Sequence, residues 1–137
     1  MSTLKIACAT VNQTPLDWTG NLDHIKQAII KAKSLNVGFV CFPELAITGY
    51  GSEDLFLSYW YPQKAIGQLA HLLPYSEGIT IAVGLPVRIQ EKVYNCIAVL
   101  EDQKVLGFVA KQFMAIDGVH YEFRWFTPWE HGKVIQF

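Results

Sequence analysis

Residues 4–11 read Leu-Lys-Ile-Ala-Cys-Ala-Thr-Val, a nearly continuous apolar run that is typical of a central strand covered on both faces. From Asn21 to Leu35 the apolar residues recur every three or four positions, which predicts an amphipathic helix of about four turns. Residues 37–42 read Val-Gly-Phe-Val-Cys-Phe and predict a second buried strand that ends at Pro43. A strand, a helix and a strand in direct succession predict a right-handed parallel crossover, and therefore an α/β fold.

The chain after Pro43 continues to alternate between loops, helices and strands. Residues 43–53 are predicted as a glycine-rich loop, after which Asp54 could cap a short helix that runs through Trp60. Pro62 suits the first turn of a further helix, because proline lacks the N–H that such a position leaves unpaired. Three more strands are predicted, of which the last two form a hairpin: 79–85, 93–100 and 104–110.

The aromatic loop, as we call residues 111–132, has no clean period but many aromatic side chains. Loops of this length in compact domains are usually functional or disordered, and the aromatic content favours an ordered, functional loop. Residues 133–137 predict the start of another strand. Because domains rarely end on an unpaired strand, we expect the chain to be the first part of a longer protein.

The composition restricts the class of protein. With 137 residues and 15.5 kDa the chain has room for one domain, and its 51% hydrophobic content excludes intrinsic disorder. Eleven Lys and Arg against twelve Asp and Glu give a formal charge of −1, so nothing indicates binding to nucleic acid or to an anionic membrane. No apolar run approaches the roughly eighteen residues of a membrane-spanning helix.

The three cysteines, Cys8, Cys41 and Cys96, are an odd number, and each lies in an apolar stretch. A disulfide framework is therefore not expected, and the predicted location is the reducing cytoplasm. We interpret all three as small buried hydrophobic side chains, because a reactive cysteine needs partial exposure and a positively charged neighbourhood.

Glu44 is the first candidate for chemistry, since it follows the predicted strand 37–42 at its carboxyl end. Open α/β sheets place their sites at that end of the strands. We expect a carboxylate there to be poorly solvated, which would suit it to act as a general base. The alternative is a surface glutamate that pairs with a nearby lysine, and position alone favours neither.

Lys111 and Glu122 are two further candidates in the aromatic loop. Lys111 closes the predicted strand 104–110, where its fixed positive charge could stabilise a developing oxyanion. For an isolated lysine, however, the simpler interpretation is an ordinary strand-ending residue. For Glu122 we favour a structural ion pair with Arg124 over a catalytic role.

Metal and phosphate sites are not predicted. The four histidines lack the spacing of metal ligands, although His120 and His131 share the aromatic loop with Glu122. The chain also lacks both glycine-rich phosphate-binding motifs and a Ser-His-Asp arrangement with its nucleophile elbow. We therefore expect no metal and no cofactor in this domain.

Three stretches together resemble the nitrilase (carbon–nitrogen hydrolase) superfamily. One is Phe42-Pro43-Glu44-Leu45 with Lys111 after a late strand. Residues 43–56 read Pro-Glu-Leu-Ala-Ile-Thr-Gly-Tyr-Gly-Ser-Glu-Asp-Leu-Phe, and residues 122–129 read Glu-Phe-Arg-Trp-Phe-Thr-Pro-Trp. The two longer blocks are similar to the N-terminal glutaminase domain of glutamine-dependent NAD+ synthetases, and the resemblance covers essentially the whole chain.

The resemblance implies a four-layer α-β-β-α sandwich, of which residues 1–137 supply roughly the first half. It also implies that Glu44 is the general base, that Lys111 stabilises the tetrahedral intermediate and that Glu122 supports the lysine and the substrate. Tyr50 falls on a position that lines the glutamine pocket. The family nucleophile is a cysteine that attacks the glutamine amide and forms a thioester.

The sequence departs from the family pattern because that cysteine lies beyond position 137. The ATP- and Mg2+-dependent synthetase domain, which uses the released ammonia to amidate deamido-NAD+, is absent as well. We therefore expect the 137-residue chain alone to have no glutaminase activity. Because its sheet edge and apolar surface are uncovered, we also expect either self-association or a disordered tail. The alternatives are another amidase of the superfamily and a non-catalytic assembly module.

Overall fold

A five-stranded sheet with helices packed on one face forms the framework of the computed structural model, which describes residues 3–119 and 121–136. The strands are β1 (Ile6–Cys8), β2 (Phe39–Cys41), β3 (Thr80–Ile89), β4 (Lys92–Glu101) and β5 (Lys104–Ala110). The α-helices are α1 (Trp18–Ser34) and α2 (Trp60–Gln68), and 3₁₀ segments span Tyr50–Leu57, Leu69–His71, Leu73–Ser76 and Glu122–Arg124. No helix among these residues has the length and apolar character to cross a bilayer.

The strands follow one another across the sheet in chain order, β1-β2-β3-β4-β5. β1, β2 and β3 are parallel, as the predicted crossover requires, and β3, β4 and β5 are antiparallel. The predicted hairpin of β4 and β5 is confirmed, and both Asp102 and Gln103 in its turn have positive φ. The hairpin of β3 and β4, which was not predicted, turns at Gln90 with φ 54°.

The helix α1 begins and ends where its sequence signals lie. The Asp17 carboxylate accepts a hydrogen bond from Gly20 N at 2.9 Å, so the helix begins a few residues before the predicted Asn21. Asn36 has φ 55° just after the helix, which is the left-handed conformation that asparagine tolerates at such an end. The apolar stripe that the periodicity predicts faces the sheet, because Ile25 and Ile29 are completely buried.

One main core lies between the helices and the sheet. Alternate side chains of β3 and β4, such as Val83 and Ala98, pack there against α1 and α2. The residues between them, including Asn95 of β4, therefore face the opposite side of the sheet. The described residues form one helix layer and one sheet layer, which matches the first two layers of the expected sandwich.

The prediction that residues 4–11 form a central strand covered on both faces is wrong. Among the described residues, β1 lies at the edge of the sheet and pairs with β2 alone. Ala7 and Ala9 pack against the main core, whereas Ile6 is 65% exposed and Cys8 is also exposed on the other face. A continuous apolar run does not reveal its place in the strand order, so the sequence alone could not distinguish an edge strand from a central one.

Two further local predictions are wrong. Asp54 does not cap a helix but lies within the 3₁₀ segment, where its carboxylate accepts hydrogen bonds from Arg124 and Trp125. Residues 133–136 form no strand, because no neighbouring strand pairs with them, and Val134 is 92% exposed. Phe137, which completes that prediction, lies outside the described residues.

The aromatic loop is ordered by a second, smaller core. Met114 and Phe126 are buried there against Leu45 and Phe56, and the Phe56 and Phe126 rings lie 4.9 Å apart between their centroids. Backbone hydrogen bonds join the loop to the sheet, including Thr127 N to Val93 O at 2.8 Å. The prediction of an ordered loop is confirmed for its described residues.

Candidate functional site

Glu44 lies in a loop that crosses over β3 directly after β2. Phe42 N donates to Ala82 O at 2.8 Å and Ile47 N donates to Gly84 O at 3.1 Å, so both ends of the loop are held by β3. A Cβ atom at Gly84 would lie 2.5 Å from Pro43 O, which is too close for a non-bonded contact. Only glycine, which has no Cβ atom, fits at this position. The backbone that carries Glu44 is therefore held close to the sheet.

Lys111 follows β5 and is held between two parts of the structure. Its N–H donates to Asn95 O at 2.8 Å, and its carbonyl accepts from Trp129 N at 3.0 Å. The first bond extends the pairing of β4 and β5 by one residue and gives the lysine the same orientation as Asn95. Its side chain therefore projects from the face of the sheet opposite the helices.

Glu44, Lys111 and Glu122 converge on one point. The Lys111 ammonium nitrogen lies 2.8 Å from Oε1 of Glu44 and 2.9 Å from Oε2 of Glu122. Glu44 follows β2, Lys111 follows β5 and Glu122 lies in a 3₁₀ turn of the aromatic loop. Glu44 and Lys111 are more than sixty positions apart in the sequence. We call them, together with Asn95, the carboxylate–lysine cluster.

Glu122 is the most buried member of this cluster, with a completely inaccessible side chain. Its Oε2 accepts from Ala115 N at 2.6 Å, and its Oε1 accepts from the Tyr50 hydroxyl at 3.2 Å. The favoured structural interpretation, an ion pair with Arg124, is wrong because Arg124 instead binds Asp54 through two hydrogen bonds of 2.8 Å.

Glu44 is more exposed than expected. Its side chain is 42% accessible, whereas that of Lys111 is 26% accessible, so the prediction of a poorly solvated carboxylate is wrong. The alternative interpretation, a surface glutamate that pairs with a lysine, agrees with the exposure of Glu44 and with its ion pair to Lys111. Its partner, however, is the second predicted site residue, and one face of the pair is closed by Glu122.

The charges of the cluster stabilise one another. Burial lowers the pKa of Lys111, but the hydrogen bonds and charges of Glu44 and Glu122 outweigh it, so the net pKa lies above its ordinary value. Burial likewise raises the pKa of Glu122, but the Ala115 N–H and Lys111 outweigh it and bring that pKa below its ordinary value. At neutral pH the cluster therefore contains the Lys111 ammonium ion bound to the ionised carboxylate of Glu122.

Tyr50 joins this cluster to a neighbouring cavity. Burial and the negative charge of Glu122 raise the pKa of Tyr50 to about 12, so its hydroxyl remains a neutral donor. The cavity has a volume of about 230 Å³ and opens beside Glu44. Its lining includes Asn12, Gln13, Glu44, Gly49 and Tyr50.

Asn95 is the site residue that the sequence analysis missed. Its side chain is buried, and its amide nitrogen lies 3.0 Å from Glu44 Oε2 and 3.3 Å from Glu122 Oε1. The available signal was an amide side chain in the middle of a predicted apolar strand. Asparagine is depleted in strands and needs a partner when it is buried.

The three cysteines are not members of the carboxylate–lysine cluster. Cys96 faces the main core, where burial raises its pKa to about 12, and the pKa of Cys41 is raised by burial and by the charge of Cys8. All three are free, but the prediction that all are buried is wrong, because Cys8 is exposed and Cys41 is half-buried. The raised pKa values disfavour Cys41 and Cys96 as thiolate nucleophiles.

His131 is the only histidine of the aromatic loop among the residues that the structure describes. Within residues 3–119 and 121–136, no group of three His, Cys, Asp or Glu side chains is arranged to hold a metal ion. His131 lies 3.5 Å from Gln112 Oε1, and Glu122 is bound by Lys111. His120, the third member of that combination, lies outside the described residues.

Comparison with known proteins places this chain in a family. The family model for carbon-nitrogen hydrolases matches residues 5–136. A glutamine-dependent NAD(+) synthetase of Dictyostelium discoideum is 38% identical over 99% of this chain and 20% of its own length. The chain thus spans about a fifth of the length of the curated relatives it matches.

Solved structures agree with this similarity. The crystal structure of a glutamine-dependent NAD(+) synthetase from Cytophaga hutchinsonii superimposes with a TM-score of 0.95 and 48% identity, over 99% of this chain and 23% of that one. An amidase from Nesterenkonia sp. shares the fold, with a TM-score of 0.79 and 21% identity, over 98% of this chain and 51% of that one. Because the family model covers nearly all of it, this chain belongs to the carbon–nitrogen hydrolase family.

Proposed function

We propose that this chain is the first part of a glutaminase domain and that its carboxylate–lysine cluster supplies the acid–base and charge-stabilising groups for hydrolysis of the side-chain amide of glutamine. The observation that carries this proposal is the position of the Lys111 ammonium, within 2.9 Å of both Glu122 and Glu44, the second of which lines an open cavity. Relatives named glutamine-dependent NAD(+) synthetases support the choice of substrate.

In the proposed reaction a cysteine from outside these 137 residues attacks the amide carbon. Glu44, which lines the cavity, takes the thiol proton and returns it to the departing ammonia. Water then hydrolyses the thioester and releases glutamate, so that glutamine and water are converted to glutamate and ammonia.

Lys111 stabilises the negative charge that develops on the amide oxygen in this proposal. Its raised pKa keeps it cationic, and its bonds to Glu44 and Glu122 fix the ammonium before substrate binds. Glu122 is inaccessible and acts as the support of the lysine. Tyr50 lines the cavity and donates to Glu122, which fits a role at the edge of the glutamine pocket.

The ammonia would serve a second domain. The relatives are about five times as long as this chain, which leaves room for a synthetase domain that binds ATP and Mg2+ and amidates deamido-NAD+. We place both cofactors in that domain and none in residues 1–137. We also propose a cytoplasmic location and self-association through the face of the sheet that bears Ile6 and Val109, which are exposed here.

Ammonia release from glutamine by the full-length protein encoded by the gene tests this function. Glu44→Gln is expected to lower the rate by about 10²- to 10⁴-fold, and Lys111→Met by about 10²- to 10³-fold. The matched controls Glu77→Gln and Lys104→Met change exposed residues away from the cluster and are expected to retain the wild-type rate. Wild-type rates in both cluster variants would contradict the proposal.

The same assay separates the alternatives. Hydrolysis of aliphatic amides without glutaminase activity would indicate another amidase of the family. Absence of any amide hydrolysis, together with a downstream reading frame that lacks a cysteine, would indicate a non-catalytic module. The 137-residue chain alone is expected to release no ammonia, and sedimentation of that chain as a monomer would count against self-association.

A further inference from the structure

Asn95 is a buried neutral residue between two carboxylates. It lies in β4, where Tyr94 and Cys96 on either side of it point into the main core, so the Asn95 side chain faces the cluster. Its amide nitrogen has one hydrogen for Glu44 Oε2, at 3.0 Å, and another for Glu122 Oε1, at 3.3 Å. The amide oxygen could not take this place, because it would face two acceptors without a proton to donate.

The hydrogen bonds of Asn95 close a ring of four side chains. From Lys111 the ring runs through both oxygens of Glu44 to the Asn95 nitrogen, and returns through both oxygens of Glu122 to Lys111. The backbone adds a further tie, since Lys111 N donates to Asn95 O at 2.8 Å. Each carboxylate therefore has one oxygen on the lysine and the other on Asn95.

The formal charges of the ring do not cancel. Two carboxylates and one ammonium leave a net charge of −1, and like charges that share a site repel each other. A second cation in place of Asn95 would compete with Lys111 for the carboxylates, whereas an amide donates to both without adding charge. A neutral donor with two hydrogens is thus the group that this position requires.

We propose that Asn95 is a positioning residue that holds the second oxygen of each carboxylate and so keeps Glu44 and Glu122 directed at Lys111. Its effect on catalysis rests on the proposed glutaminase function, but its effect on the geometry of the cluster does not. Without Asn95, the half-exposed Glu44 carboxylate has one fixed oxygen instead of two and can rotate away from the lysine.

The kinetic test uses Asn95→Ala in the full-length protein. It is expected to lower kcat for glutamine hydrolysis by about 10²-fold with KM nearly unchanged, because a small misplacement of a reacting group has that effect. The matched control is Asn21→Ala, since Asn21 is also buried but donates to the backbone oxygens of Thr14 and Ile47. Asn21→Ala is expected to lower stability and to leave kcat of the folded protein unchanged.

A spectroscopic measurement makes the inference testable without activity. The ¹⁵N signal of the Lys111 ammonium is expected to be narrow in the wild type and in Asn21→Ala, and broadened in Asn95→Ala. If Asn95→Ala does not fold, Asn95→Ser, which keeps one donor, is expected to give an intermediate kcat and linewidth.

The outcomes separate the two proposals. A wild type without glutaminase activity would overturn the proposed function, while the ammonium signal would still decide the role of Asn95. Wild-type kcat and a wild-type Lys111 signal in Asn95→Ala would overturn the positioning role.

Discussion

Replacing the buried Glu122 by glutamine removes one charge from the cluster while keeping its shape. The carboxylate accepts from Ala115 N at 2.6 Å, from Lys111 at 2.9 Å, from Tyr50 at 3.2 Å and from Asn95 at 3.3 Å. The glutamine oxygen can keep the first two bonds. Its NH₂ group then meets the Asn95 NH₂ group, so that two buried donors face each other.

The size of the effect follows from these contacts. Turning a charge-assisted bond to Lys111 into a neutral one costs about 1 kcal/mol, and the unpaired donors cost about 1–3 kcal/mol more. Lys111 keeps its bond to Glu44, which prevents the larger loss that follows when a buried charge loses its last partner. We therefore expect Glu122→Gln to lower the free energy of unfolding by about 2–4 kcal/mol.

Urea unfolding followed by tryptophan fluorescence measures this loss in the purified protein. The matched control is Glu130→Gln, because Glu130 also pairs with a lysine in this part of the chain, at 3.3 Å from Lys133, but is 73% exposed. That change is expected to cost no more than about 0.5 kcal/mol. Equal costs for the two variants would refute the assignment of Glu122 as the buried support of the lysine.

The pH dependence gives a second, independent readout of Glu122. Its folded-state pKa lies below the ordinary value of 4.5, so its stabilisation is present above that value and is lost as the pH falls through the folded-state pKa. The difference between wild type and Glu122→Gln is therefore expected to be constant near neutral pH and to shrink below pH 4.5. A difference that grows on acidification would contradict this sign.

Three further predictions follow from the packing and the exposed contacts. Gly84→Ala is expected to lower the free energy of unfolding by about 1–3 kcal/mol, because its Cβ would meet the loop backbone. The control is Gly107→Ala, since a Cβ atom at Gly107 has open space around it. Equal losses of unfolding free energy in urea for the two variants would contradict this prediction. Asp54→Asn is expected to speed amide hydrogen exchange in the aromatic loop, and unchanged exchange would show that its hydrogen bonds do not hold the loop. Iodoacetamide is expected to alkylate the exposed Cys8 of the 137-residue chain first. It is expected to alkylate Cys96 last, since Cys96 is buried and burial raises its pKa to about 12. Mass spectrometry measures the order of alkylation, and the reverse order would contradict the prediction.

The sequence predicted those parts of the fold that depend on local pattern. The helical period located α1, and the strand 104–110 agrees with β5 at both ends. The resemblance to the nitrilase superfamily, which gives Glu44 and Lys111 roles in one reaction, required the two residues to converge, and that expectation needed no knowledge of side-chain contacts. The convergence of these two residues is confirmed, while their catalytic roles remain predictions.

Contacts between distant segments could not be read from the sequence. Arg124 is two positions from Glu122 but binds Asp54, seventy positions away. Glu122 instead forms its ion pair with Lys111. The sequence pattern around Asn95 does not indicate its contacts, since its side chain binds two carboxylates that only the folded chain brings beside it. In each case the partner is set by the strand order and by loop packing.

The most direct test of the cluster is the detection of its hydrogen bonds by NMR. In isotope-labelled protein, scalar couplings across the hydrogen bonds are expected from the Lys111 ammonium nitrogen to the side-chain carboxyl carbons of both Glu44 and Glu122. The same signal is expected to titrate above the ordinary lysine pKa of 10.5. An ammonium that couples to neither carboxylate, or that titrates below that value, would contradict the account.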